Sequence, residues 1–219
     1  RLEAAKKVAS EFISDREQDK IGLVIFAGES FTQAPLTTDH GVLLNLLHEI
    51  RPGMIDDGTA IGLGLANAVN RLKDSQTKSR IVILLTDGSN NRGQIAPITA
   101  AELAKSYGIR VYTIGVGTRG TAPAPVMTPF GERIQNVPVD IDEKTLTQIA
   151  EMTGGEYFRA VDNSSLKKIY AQIDSMEKYL ISVNKVTRKQ ELYLPYALLA
   201  LGLILCEVIL RRTWLRNIP

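Results

Sequence analysis

Two short loops carry the residues whose types and spacing could hold a ligand. In the first, Asp57-Gly58-Thr59-Ala60-Ile61-Gly62, a hydroxyl sits at the start of an expected helix. In the second, Leu85-Thr86-Asp87-Gly88, a carboxylate closes an expected buried strand. Hydroxyl, carboxylate and water oxygens, with no nitrogen or sulfur among them, suit a hard cation such as Mg2+. Each loop also has a plainer reading. Thr59 or Asp57 could cap a helix, and Asp87-Gly88 could make a turn.

Other chemistries are less well served. Gly115-Val116-Gly117-Thr118-Arg119-Gly120 matches G-x-G-x-x-G and comes directly after an apolar run. A dinucleotide site needs a helix next, because the helix N-terminus holds the pyrophosphate. The chain continues instead with Ala122-Pro123-Ala124-Pro125, which supplies none. No P-loop lysine motif occurs, so nucleotide hydrolysis is not expected. A hydrolytic triad needs a nucleophile, a base and an orienting acid. The two histidines, His40 and His48, fall on one expected helix away from the two loops. An enzyme is therefore not expected. The single cysteine, Cys206, allows neither a disulfide within the chain nor a cysteine metal cage.

These loops must be positioned by a core, and 219 residues suffice for one α/β domain with something more. A net charge of +2, with basic residues interspersed among acids as in Arg71-Leu72-Lys73-Asp74, gives no nucleic-acid footprint. From Leu192 to Leu210 the sequence reads LYLPYALLALGLILCEVIL, with Glu207 as its only charge. As a helix this would span roughly 28 Å at about 1.5 Å per residue, close to the bilayer core. A membrane anchor is expected there, and Glu207 can pair with Arg211 at the surface. The tail RRTWLRNIP carries three arginines and no acid, against Lys185, Arg188 and Lys189 on the other side of the span. This favours a cytoplasmic tail and so an expected position of the large domain outside the cytoplasm.

Hydrophobic periodicity predicts the remaining elements. Arg1–Ser14 is an amphipathic helix, Lys20–Phe26 a buried strand and Ser30–Ala34 an edge strand. Thr38 or Asp39 caps a helix running through Ile50, and Pro52-Gly53 breaks it. A further helix opens at Asp56–Thr59 and runs to about Lys73. Arg80–Thr86, apolar throughout Ile81–Leu85, should lie centrally in a parallel sheet. Then come a helix over Pro97–Tyr107 and a strand over Arg110–Val116. Residues 117–138 read as an irregular loop with room for a small hairpin. A helix over Asp142–Met152, a strand over Glu156–Arg159 and a helix over Ser165–Lys178 complete the domain. Such alternation argues an open, doubly wound, mostly parallel sheet with one antiparallel edge strand and helices on both faces. Ligands of these folds bind beyond the carboxyl ends of the central strands, where Thr59 and Asp87 both fall.

The stretches IVILLTDGSNNRG, DDGTAIGLGL and FAGESFTQAPLTTD, in that combination, resemble a von Willebrand factor A domain. With KTLTQIAEMTGGEYFRA and the terminal apolar helix, nearly the whole chain is similar to the BatA/BatB aerotolerance-type membrane proteins of bacteria. The resemblance implies a metal-ion-dependent adhesion site built from a first-loop Asp-x-Ser-x-Ser, a second-loop Thr and a third-loop Asp. By motif position, Thr59 would be the second-loop ligand and Asp87 the third-loop one, holding Mg2+, or Mn2+ or Ca2+. An acidic side chain of a partner protein would fill the metal's open position. The implied partners are sibling Bat proteins and a MoxR-type AAA+ ATPase, in an envelope stress or aerotolerance complex at the bacterial inner membrane.

Asp-x-Ser-x-Ser does not occur in these residues. The resemblance places it at the end of a first strand, just before a helix like RLEAAKKVASEF. The expectation is therefore a domain over 1–184 lacking that strand, a linker over 185–191, a span over 192–210 and a basic tail over 211–219. With its central strand missing, the domain alone is expected to be marginally stable. A metal-independent, membrane-tethered scaffold is the alternative, with Met127, Phe130 and Arg133 as candidate contacts.

Overall fold

A computed structural model describes residues 2–16, 18–77, 79–117, 121–128, 131–138, 141–186 and 193–213. In chain order the elements are α1 (Leu2–Ser14), β1 (Ile21–Phe26), β2 (Ser30–Thr37), α2 (His40–Glu49), α3 (Ile61–Leu72), β3 (Ile81–Thr86) and α4 (Pro97–Ser106), followed by β4 (Arg110–Val116), β5 (Thr121–Thr128), β6 (Gly131–Pro138), α5 (Glu143–Thr153), β7 (Tyr157–Ala160), α6 (Asn163–Val186) and α7 (Tyr193–Thr213). Two units separate, Arg1–Glu177 and Lys178–Pro219.

Local chemistry accounts for the element ends. Asp39 accepts a hydrogen bond from the Val42 amide and caps α2, and Asp142 caps α5 through Thr145. Pro97 opens α4 where its missing N–H costs nothing. Gly154 ends α5 with φ +77°, a left-handed cap that glycine adopts without a Cβ penalty.

The strands of the first unit form a parallel ladder β3–β4–β7 and an antiparallel pair β1–β2. The α/β alternation and the antiparallel edge strand are as the sequence predicts. The central placing of β3 is corrected: among the described residues it is the end strand of its ladder, with β4 on one side only. Two helices nevertheless reach both pieces. Val8 and Phe12 of α1 share a core with Ile81, Ile83 and Leu85 of β3, while Ile13 and Ala9 share one with Ile21, Leu23 and Ile25 of β1. On another face, Leu65 and Val69 of α3 share a core with Val82 and Leu84, which Phe26 of β1 joins.

Several boundaries differ from the sequence expectation. β2 runs on to Thr37 through Pro35, because a register irregularity between Ile21↔Thr37 and Leu23↔Ala34 absorbs the missing donor. Residues 121–128 and 131–138 form an antiparallel hairpin of regular register, longer than the small one for which the sequence left room. Among the described residues the element after β4 is β5, not a helix; residues 118–120 of the Gly115–Gly120 pattern lie outside them. Helix α6 extends to Val186, past the expected end at Lys178.

In the second unit, α7 has 21 residues, and its described large apolar side chains, Leu198 to Ile204 among them, are exposed. Among the described residues no helix is long and apolar enough to cross a membrane.

One buried cation ties α1 to α2. Lys6, 6% exposed, donates to the carbonyls of His48 and Ile50 at 3.0 Å each and to Glu3 at 2.9 Å. Those carbonyls end α2 and would otherwise lack partners. Lys6→Met keeps the stem and deletes the donors. It is expected to cost about 1–3 kcal/mol, read as a lower denaturation midpoint with unchanged m-value.

Candidate metal centre

Three loops meet where β1 and β3 end and α3 begins. The Gly28 amide donates to the Asp56 carbonyl at 2.7 Å, and the Ala60 amide to the Ala27 carbonyl at 2.7 Å. A Cβ at Gly28 would lie 2.8 Å from the Asp56 oxygen and 2.9 Å from that of Asp57, so only glycine permits this approach. From the other side, the amides of Asn91 and Arg92 donate to the Thr59 carbonyl at 3.0 and 3.3 Å.

The first turn of α3 is served from outside its own helix. The Thr59 amide donates to Asn91 Oδ1 at 2.8 Å and the Gly62 amide to Asn90 Oδ1 at 3.4 Å. The N-cap position is Ala60, with no side-chain cap bond. Capping by Thr59 or Asp57, the plainer sequence reading, is therefore not what these residues do. Thr59 keeps its hydroxyl uncommitted among the described residues while its backbone is fixed on both sides. Sequence reasoning missed Asn90, Asn91 and Gly28. The signal was an Asn pair just after the strand-ending Asp-Gly, which reads equally as loop composition.

The β3 loop brings its own oxygens to the same place. Thr86 Oγ1 donates to the Gly88 carbonyl at 3.1 Å and accepts from the Gly88 amide at 3.3 Å, folding the loop back on the strand end. A Cβ on Gly88 would stand 3.3 Å from Thr59 Oγ1. The two loops singled out in the sequence thus lie against each other, with Asp87 adjoining the contact. Gly58, at φ +140°, lets the chain turn beneath Arg92, whose Cγ would lie 2.5 Å from a Cβ there. Beside this contact a polar recess of about 350 Å3 is lined by Gly28, Glu29, Asp56, Asp57 and Arg92.

The donors present suit a hard cation, since hydroxyl and carboxylate oxygens predominate. They are also few. Among the described residues no three His, Cys, Asp or Glu side chains cluster closely enough to hold a metal. Thr59 and Asp87 fit a share of such a site, with water and further oxygens completing it. The histidines stand elsewhere: His40 Nε2 meets the Asp19 carbonyl at 2.9 Å, and His48 offers its carbonyl to Lys6.

The fold that brings these loops together is found in known proteins. The model of the von Willebrand factor type A domain matches residues 1–172. An aerotolerance-related membrane protein from Bacteroides fragilis superposes with a TM-score of 0.67 at 32% identity, over 78% of this chain and 87% of that one. BatB from Bacteroides thetaiotaomicron gives 0.66 at 33% identity, over 81% and 89%. An uncharacterized protein of Borreliella burgdorferi is 29% identical over 219 residues, all of this chain, which spans 64% of that relative's length. The chain belongs to the von Willebrand factor type A domain family, and within it resembles the Bat-type aerotolerance proteins.

Proposed function

We propose that this protein is a membrane-anchored interaction module that engages an acidic side chain of a partner protein through a divalent cation. Thr59 and Asp87 would hold that cation, Mg2+ or a similar hard ion, together with a first-loop Asp-x-Ser-x-Ser on a strand that precedes α1. The observation carrying this reading is the Thr59 hydroxyl, left uncommitted and pressed against the Asp87-Gly88 turn. Placing the extra strand between β1 and β3 is supported by the two separate ladders, both backed by α1 and α3. When bound, the ion would supply an electrophilic site for a carboxylate. The chain's own residues orient it: Asn91 fixes the Thr59 backbone and Thr86 folds the Asp87 turn.

Residues 192–210 would anchor the module, with the domain outside the cytoplasm, on the strength of the sequence's 19-residue apolar run. Sibling Bat proteins and a MoxR-type ATPase are the partners this reading favours, supported by the likeness to BatB. A second reading, the metal-independent scaffold, is favoured by the scarcity of clustered metal-binding side chains among the described residues. Of its candidate contacts, Phe130 and the side chains of Met127 and Arg133 lie outside the described residues.

Mn2+ binding to the native full-length protein, followed by electron paramagnetic resonance, separates the two. Saturable binding is expected, weakened at least tenfold by Thr59→Ala and by Asp87→Ala, with folding unchanged by circular dichroism. No binding at millimolar Mn2+, or binding indifferent to both substitutions, would leave the scaffold as the function.

A further inference from the structure

The hairpin β5–β6 stands apart from both ladders of the domain, pairing with no other described strand. Its register is unbroken, from Thr121↔Pro138 to Thr128↔Gly131. A two-stranded hairpin alone is marginal in water, and its outer edges are open to further pairing. The prolines make those two edges unequal.

Residues of an antiparallel pair alternate between exchanging hydrogen bonds with their partner strand and pointing their backbone groups outward. Pro123, Pro125 and Pro138 all fall in one alternate set of pairs, 121↔138, 123↔136, 125↔134 and 127↔132. Proline has no N–H to give a ladder, so this set is the outward-facing one. The outer edge of β5 therefore lacks donors at 123 and 125, and a strand laid along it would leave carbonyls unmatched. The outer edge of β6 keeps three successive donors and carbonyls, at Glu132, Ile134 and Asn136.

We propose that β6 is a self-association edge, pairing antiparallel with β6 of a second copy about a twofold axis at Ile134. Glu132 then stands opposite Asn136 of the second copy, Ile134 opposite its own copy, and Asn136 opposite Glu132. Every outward donor from 132 to 136 meets a carbonyl. Arg133 stands opposite Gln135, so no like charges lie directly opposite. A second copy fits better than an unrelated strand because the pairing closes on itself. It joins the two edges that keep their donors from 132 to 136 into a four-stranded sheet and leaves the two β5 edges, blocked at 123 and 125, outside, where growth stops. The contact is isologous and needs no metal, so it stands or falls separately from the function proposed above.

The test is cross-linking of the full chain in detergent at low micromolar concentration, with a short bis-thiol reagent. Cysteine is introduced as Ile134→Cys in a Cys206→Ser background. This readout reports the hairpin whatever other parts of the chain associate. A covalent dimer is expected through position 134. Asn136→Pro, which deletes one outward donor without touching the β5–β6 ladder, should cut its yield at least tenfold. Asn136→Ala, which keeps that donor, should leave the yield unchanged. Met127→Cys, on the outer edge of β5, should give no dimer. Absence of cross-linking at 134, equal cross-linking at 127, or a yield indifferent to Asn136→Pro would each overturn the proposal.

Discussion

Glu177→Ala is expected to be among the most destabilising single substitutions in the domain, at about 3 kcal/mol, or a melting temperature lower by roughly 6–12 °C. Glu177 is 4% exposed, a depth at which a carboxylate is tolerable only when fully paired. It accepts from Arg110 Nε at 2.8 Å, from the Tyr112 hydroxyl at 2.7 Å and from Ser79 Oγ at 2.8 Å, with a further bond from the Arg110 guanidinium. Alanine would strand Arg110 and Tyr112 together. The Arg110 side chain is 26% exposed and can recover some water, which keeps the loss below the upper range for buried pairs. Glu177→Gln, which keeps an acceptor and loses the charge, should fall between wild type and alanine.

The same network sets a pH signature. Burial pushes the Glu177 carboxyl up, but the bonds from Arg110, Tyr112 and Ser79 and the Arg110 charge outweigh it, and the net shift is downward. Its contribution is thus complete above the ordinary carboxylate range and is lost as pH falls through the lowered value. Tyr112 is pushed up to about 12, first by burial and then by its bond to Glu177 and that group's charge. That contribution is complete below about pH 10, the unfolded value, and is lost as pH rises through 12. Melting temperature should therefore be insensitive to this network between about pH 6 and 9. Tyr112→Phe should flatten the alkaline decline, although Tyr170, also raised by burial, will leave part of it. An unaltered alkaline limb would rule out the Tyr112 contribution.

Gly62→Ala should be nearly as severe, and its effect should reach the candidate metal centre. A Cβ at this position would sit 2.0 Å from the Ile95 carbonyl oxygen and 2.8 Å from the Ala96 carbonyl carbon. Both obstacles are backbone, so relief requires α3 and the chain leading into α4 to separate. Overpacking of this kind costs about 1–3 kcal/mol and occasionally more. The segment that must move continues from Asn90 and Asn91, which hold the first turn of α3. Amide exchange at Thr59 and Asn91 should therefore accelerate more than exchange in β4. Uniform acceleration across the domain would mean that the strain is not confined to this junction.

How much of this could be read from residues alone depended on how local its cause is. Asp39 caps α2 three residues from the amide it serves, and the apolar run over Ile81–Thr86 becomes β3 by composition. The approach of Thr59 to the turn at Gly88 was legible too, because strands of an open α/β sheet direct their following loops to one end. The support of α3 was not: its cap acceptors, Asn90 and Asn91, lie about thirty positions along the chain. The Glu177 network is equally distributed, drawing on Ser79, Arg110 and Tyr112 from two other segments, and on an amphipathic helix a lone Glu looks like any solvated position. The extent and regularity of the hairpin were hidden, because its prolines read as breaks, whereas their shared parity places them all on outer edges. The length of β2 was missed for a related reason, since Pro35 falls where the ladder is already irregular.

The division of the strands into two ladders bears on cooperativity. The β1–β2 pair has its own small core with Leu43, Leu47 and Ile50, and the β3–β4–β7 ladder has two larger ones. No backbone ladder among the described residues joins them; the coupling runs through the side chains of α1 and α3. Cooperative units follow such contact boundaries, and a single all-or-none transition requires strong coupling between them. Heating residues 1–177 should therefore give a calorimetric enthalpy larger than the van't Hoff value, with β1 and β2 losing amide protection before β4. An added strand that bridges β1 and β3 would be measured as the merging of two transitions into one, so the width of the melting curve reports whether the sheet is continuous.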